Sequence, residues 1–109
     1  MTTITITKSS NGWYKSVECS GHAGYAQYGE DIVCAAISVL MINTINSVEK
    51  FTDDDIVTSQ NEEKGILKLE FKDNPSEEAD LLLQSFELGV TSIYEQYGKK
   101  FLNIKFRRE

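Results

Sequence analysis

From Ile32 to Val48 the chain is apolar in nearly every helical direction: Ile32, Val33, Ala35, Ala36, Ile37, Val39, Leu40, Met41, Ile42, Ile45 and Val48. A helix on a protein surface carries one apolar stripe and a polar remainder. This segment therefore reads as a helix that is either the centre of the fold or partly covered by a second subunit, and a homodimer is expected. Asp31 offers itself as the N-cap. Ser38 and Asn43 interrupt the run, which predicts a segment too short and polar to span a bilayer. The chain of 109 residues can bury a core around such a helix without disulfides or metal, as one domain over residues 1–109.

The surface for the helix to lie on comes from short alternating runs. Thr3 to Thr7 points Ile4 and Ile6 one way, Asn11-Gly12 is a turn dipeptide, and Trp13 to Ser20 resumes as a strand, which predicts a hairpin. A short strand is expected around Ile56 to Thr58. Another follows Gly65, where Ile66, Leu67, Leu69 and Phe71 are separated by Lys68, Glu70 and Lys72. Asn74-Pro75-Ser76-Glu77 has the makings of a helix start, with an N-cap, a proline at N1 and a glutamate at N3. Ala79, Leu82, Leu83, Phe86, Val90, Ile93 and Tyr97 form one apolar stripe at helical spacing, and Gly98 is a natural C-cap. Gly89 inside that helix predicts close packing against another element. Phe101 to Phe106 closes the chain as a strand. The order β-β-α-β-β-α-β predicts an α+β, two-layer fold, a mostly antiparallel sheet with both helices against it.

The chemistry concentrates between the hairpin and the first helix. A single histidine, His22, is joined to Cys34 by a stretch containing Gly24 and Gly29. A thiol is nucleophilic as thiolate, and imidazole is the usual neutral-pH base that makes one. With Asp31 as N-cap, Cys34 falls in the first helical turn, where free amides and the helix dipole favour an anion. By spacing alone, a reactive thiol and a small buried core cysteine fit that position equally. The amides near Val33 and Cys34 are the expected oxyanion donors.

Gly21, Gly24 and Gly29 suit a loop that is mobile when empty and closes over a substrate, with Tyr25 and Tyr28 gripping an apolar side chain. Ser38, one turn after Cys34, would face the same substrate. Cys19 competes for the nucleophile's role but has no helix terminus behind it. A zinc site from Cys19, His22 and Cys34 lacks a CxxC pair and a second histidine, so no metal and no cofactor is expected.

The run Gly21-His22-Ala23, then Gly29, then Asp31-Ile32-Val33-Cys34-Ala35-Ala36 and Ser38 resembles the signature of a bacterial family, the ribosomal-processing cysteine proteases called Prp. The resemblance continues through Gly65-Ile66-Leu67 and from Leu82 to Gly89 and Tyr97, so it covers essentially the whole chain. It implies an α/β fold, a homodimer, and a cysteine endopeptidase. Its substrate would be a precursor of the large-subunit ribosomal protein numbered twenty-seven, from which a short N-terminal extension is removed. The signature's catalytic histidine and cysteine fall on His22 and Cys34. Cys19 is not part of it. The competing reading is a non-enzymatic ribosome-assembly or regulatory binding protein.

Charge narrows the partners. Eleven basic residues stand against 17 acidic ones, a net charge of −6. Direct nucleic-acid binding is not expected, and Lys105, Arg107 and Arg108 read as a solvated sheet end. Asp53, Asp54, Asp55, Glu62 and Glu63 read individually as solvated turns, and together as a field that could steer a basic substrate. No positively charged stretch precedes an apolar one at the N-terminus, so a cytoplasmic location with reduced cysteines is expected.

Overall fold

The computed structural model describes residues 1–21 and 30–109. Five strands form one sheet: β1 (Thr2–Lys8), β2 (Tyr14–Ser20), β3 (Ile56–Asn61), β4 (Ile66–Phe71) and β5 (Leu102–Arg108). Two helices, α1 (Glu30–Phe51) and α2 (Glu77–Ile93), complete the expected order. The sheet runs β3-β4-β2-β1-β5. Its pairings are antiparallel except that of β1 with β5, which is parallel. The α+β expectation of a mostly antiparallel sheet therefore holds.

Register explains why the sheet has one apolar face. Ile4 lies opposite Cys19 on β2 and Ile104 on β5, and Ile6 lies opposite Val17 and Phe106. Val17 and Cys19 in turn face Leu69 and Leu67 of β4. Successive strand residues point to opposite faces, so these positions line up on one side. The core is one cluster in which Ile4, Ile6, Val17, Cys19 and Leu69 meet Val33, Ile37, Met41, Ile45 and Val48 of α1 and Ala79, Leu83, Phe86 and Val90 of α2, with Leu67 and Ile104 packed against it and Phe106 left exposed.

The hairpin turn is built as its sequence suggested. Gly12 adopts φ +88°, its amide donates to the Ser9 carbonyl at 2.9 Å, and the Ser9 amide donates to the Trp13 carbonyl at 2.7 Å.

The two helices depart from expectation at their ends. The N-cap of α2 is Ser76, whose hydroxyl accepts from the Ala79 amide at 3.1 Å, and Pro75 precedes it. Asp54 takes hold of this cap from across the fold, accepting from both the amide and the hydroxyl of Ser76. At its other end α2 passes into a π-helical turn, Tyr94–Gly98, and Tyr97 is exposed rather than buried. Helix α1 starts one residue before the expected cap, so Asp31 is inside it. The window Ile32–Phe51 is long and apolar enough to cross a bilayer, contrary to the expectation, yet its buried residues serve the sheet-facing core. The helices approach closely where Gly89 was expected to pack: a Cβ there would lie 3.0 Å from Cδ1 of Leu40 on α1.

Candidate active site

Cys34 lies on the first half of α1, partly buried, at the edge of a cleft of about 410 Å³. Its place follows from helical spacing: Val33, Ile37 and Met41 point into the core, which leaves Cys34 and Ser38 on the flank beside the sheet end. The cleft is lined by Thr2, Cys19, Ser20 and Gly21 from β1 and β2 and the residue after it. Ile37, Ser38, Met41 and Ile42 line it from α1, and Gln60 to Glu62 and Gly65 to Leu67 from β3 and β4.

Of the expected site residues, Cys34, Gly21 and Ser38 meet in this cleft. His22, Tyr25 and Tyr28 lie outside the described residues, as does the expected closing loop. The approach to His22 is well defined at its root. Gly21 donates its amide to the Gly65 carbonyl at 3.1 Å. Gly65 holds φ +63°, and a Cβ on it would collide with the Gly21 carbonyl oxygen. A Cβ on Gly21 would in turn lie 2.8 Å from the Thr2 hydroxyl. Both positions require glycine because two backbone segments and a threonine share the space of one side chain.

Cys34 itself touches the strand. Its sulfur is 3.2 Å from Oγ1 of Thr2, a hydroxyl able to donate or accept. Thr2 was not singled out by sequence. The signal was there: Thr2, Ile4 and Ile6 share the inward phase of β1, and a polar residue in that phase asks for a partner.

Two expectations need correction. With α1 starting at Glu30, Cys34 is its fifth residue. The amides left free at a helix start end with the third residue, here Ile32. The Val33 and Cys34 amides thus belong to the helical ladder and are not spare oxyanion donors. The acidic group between β3 and its neighbours also divides. Asp54 is committed to Ser76, Asp55 pairs with Lys72 at 3.7 Å, and Glu62 lines the cleft.

Cys19 is a different kind of thiol. It is 8 % exposed. Burial above all, with help from the charge of Glu18 and from Cys34, pushes it up to about 12. It stays protonated near neutrality, as a core residue opposite Ile4 and Leu67.

Known proteins share this arrangement from end to end. A family model described as cysteine protease Prp matches residues 1–102. The chain belongs to the Prp cysteine protease family. The ribosomal processing cysteine protease Prp of Staphylococcus aureus (strain Mu50) is 30 % identical over 106 residues, 96 % of this chain and 100 % of the relative. The Prp of Bacillus subtilis (strain 168) is 27 % identical over 101 residues, covering 89 % and 90 %. A crystal structure of the S. aureus Prp with a substrate peptide superposes with a TM-score of 0.87 at 28 % identity, covering the whole of both chains. That of SMU.848 from Streptococcus mutans gives 0.88 at 32 % identity, covering 100 % and 99 %. The chain is a cysteine protease, and the non-enzymatic reading is set aside.

Proposed function

We propose that this protease removes a short N-terminal extension from a large-subunit ribosomal protein, the one numbered twenty-seven, with Cys34 as nucleophile and His22 as its acid and base. The observation that carries the nucleophile is the contrast between the thiols: Cys34 opens onto the cleft while Cys19 is buried and held protonated. The placement of Gly21 in the same cleft, one residue before His22, supports the pairing. The relatives' names as ribosomal processing proteases, and the S. aureus structure with a substrate peptide, support the substrate class.

In the proposed reaction His22 takes the Cys34 proton and the sulfur attacks the scissile carbonyl carbon. The tetrahedral adduct collapses as His22 returns that proton to the leaving amine. Water, deprotonated by His22, then attacks the thioester, and the departing thiolate recovers a proton. Ser38, exposed one turn beyond Cys34, and Gly21 line the same cleft, where they would meet the bound peptide. Tyr25 and Tyr28 would grip it from the segment between. The reaction draws on no metal or cofactor.

The proposal includes a homodimer in the cytoplasm. Ile32, Ala35 and Val39 form an outward stripe on α1 that borders the cleft at Ile42, and Ile32 and Val39 are 52 % and 67 % exposed. Their three- and four-residue spacing is that of a helix seam. Met41 and Ile45 of the same helix are core residues and take no part in this stripe.

The test is direct. Purified protein is incubated with the extended ribosomal precursor, and the new N-terminus is read by mass spectrometry. A single internal cut that removes the extension supports the reading. An intact precursor, or scattered cuts, overturns it.

A further inference from the structure

Thr2 occupies a position that sets it apart from its strand mates. It is 4 % exposed, in phase with Ile4 and Ile6, at the end of the core stripe. Its backbone is pinned, because its amide donates to the Phe101 carbonyl at 3.0 Å and it lies in register with Leu102 of β5. Its hydroxyl is 3.2 Å from the Cys34 sulfur. On its other side the backbone of Gly21 rests against it, so closely that a Cβ on Gly21 would come 3.0 Å from the Thr2 Cα. One side chain thus abuts both the thiol and the residue that leads into His22.

We propose that Thr2 is a positioning residue for the protease reaction, its hydroxyl orienting the Cys34 sulfur and donating to it once the thiol proton has left. The inference rests on Cys34 being the nucleophile. A hydroxyl can serve the sulfur in both states. It accepts from S–H in the resting thiol and turns to donate to the thiolate. The second bond is charge-assisted and therefore the stronger, so the reversal favours the thiolate. The bond also limits rotation of the sulfur about its side-chain torsion, keeping it toward the cleft. Among the described residues the other ionisable side chains lining this cleft are Cys19 and Glu62, and Cys19, held protonated, offers only a weak S–H donor.

The experiment separates hydroxyl from shape. Thr2→Val keeps the volume and loses the donor, whereas Thr2→Ser keeps the donor and loses a methyl group. Each variant is measured at pH 7 for the rate of Cys34 alkylation by iodoacetamide, with the adduct located by peptide mass spectrometry, and for kcat and KM on the precursor peptide. Thr2→Val should slow alkylation and lower kcat by roughly three- to ten-fold, with KM unchanged, because the sulfur loses the hydroxyl that orients it and donates to it. Thr2→Ser should stay within about two-fold of the parent on the same reasoning.

A packing role predicts the opposite order, with Val silent and Ser impaired, and would overturn the proposal. So would a parent-like Thr2→Val. If Thr2→Val does not fold, Thr2→Ala against Thr2→Ser repeats the comparison with the hydroxyl as the sole difference, and equal rates in that pair refute the proposal. Cys34→Ala is run alongside. Cleavage surviving in Cys34→Ala defeats the nucleophile assignment, whereas a dead Cys34→Ala beside an unaffected Thr2→Val defeats the role of Thr2 alone.

Discussion

The two helices pack on the same sheet face yet are built to opposite specifications. In α2 the start and the apolar stripe agree with local rules. Ser76 caps it, acidic residues occupy its first turn, and the stripe Ala79, Leu83, Phe86 and Val90 is buried while Leu81 and Leu88 face out. In α1 the sheet-facing stripe is equally clean, but the rest of the helix is apolar beyond what the sheet covers, and a thiol sits on its flank. The difference teaches where stability and function are invested. Helix α2 holds the fold. Helix α1 is held by the fold with one flank on the cleft and another left apolar and exposed.

Substitutions should divide along that line. The largest effect is expected from Cys34→Ala, with cleavage falling by roughly 10⁴-fold or more in a peptidase assay while the thermal midpoint stays close to the parent's. Cys34→Ser should be nearly as inactive, since a hydroxyl is much harder to deprotonate. On α2 the order reverses. Phe86→Ala empties a buried site and should cost about 3–5 kcal/mol in denaturant unfolding, with kcat of the folded fraction preserved. A variant of α2 that lost activity without losing stability would break the comparison.

Smaller effects sharpen it. Ser76→Ala removes the α2 cap and should cost about 1 kcal/mol. Its partner Asp54 gives the fold an acid limit. Burial alone would raise the Asp54 carboxyl, but hydrogen bonds from the Ser76 hydroxyl and amide, then from Thr52 and its own backbone, outweigh it and hold the group below its usual range. A carboxyl depressed in the folded state stabilises fully above its unfolded pKa, and that contribution is lost as pH falls through the folded value. Asp54→Asn should therefore flatten the loss of stability below about pH 4, measured by urea unfolding across pH. Least of all should stability respond to Val39→Asp. Its expected effect is on sedimentation, a shift toward monomer at micromolar concentration, and an unchanged mass would remove the outward stripe of α1 from the assembly.

Much of this was legible in the chain, for reasons that are local. Alternation in Ile4 and Ile6, or in Leu67, Leu69 and Phe71, requires no knowledge of the partner strand, because the pleat fixes which residues share a face. The presence of a helix start around Ser76 and the left-handed turn at Gly12 rest on single-residue stereochemistry, although the cap falls on Ser76 and leaves Pro75 outside the helix rather than at N1. Boundaries were less legible. Helix α1 runs from Glu30 to Phe51 against an expected Ile32 to Val48; the added Glu49, Lys50 and Phe51 are exposed, and apolar periodicity carries no signal for residues that do not pack.

Periodicity and composition set the element order, the apolar faces and the chemical types available, one imidazole and two thiols. Tertiary structure decided which thiol is open and which is buried, and that Gly65 must leave room for Gly21. It also decided that Thr2 meets Cys34 across 32 residues of chain. Those outcomes depend on strand order, on the parallel pairing of β1 with β5, and on how α1 crosses the sheet. Such contacts are set by the summed packing of the whole core rather than by any pattern within one segment, which is why they emerge with the fold.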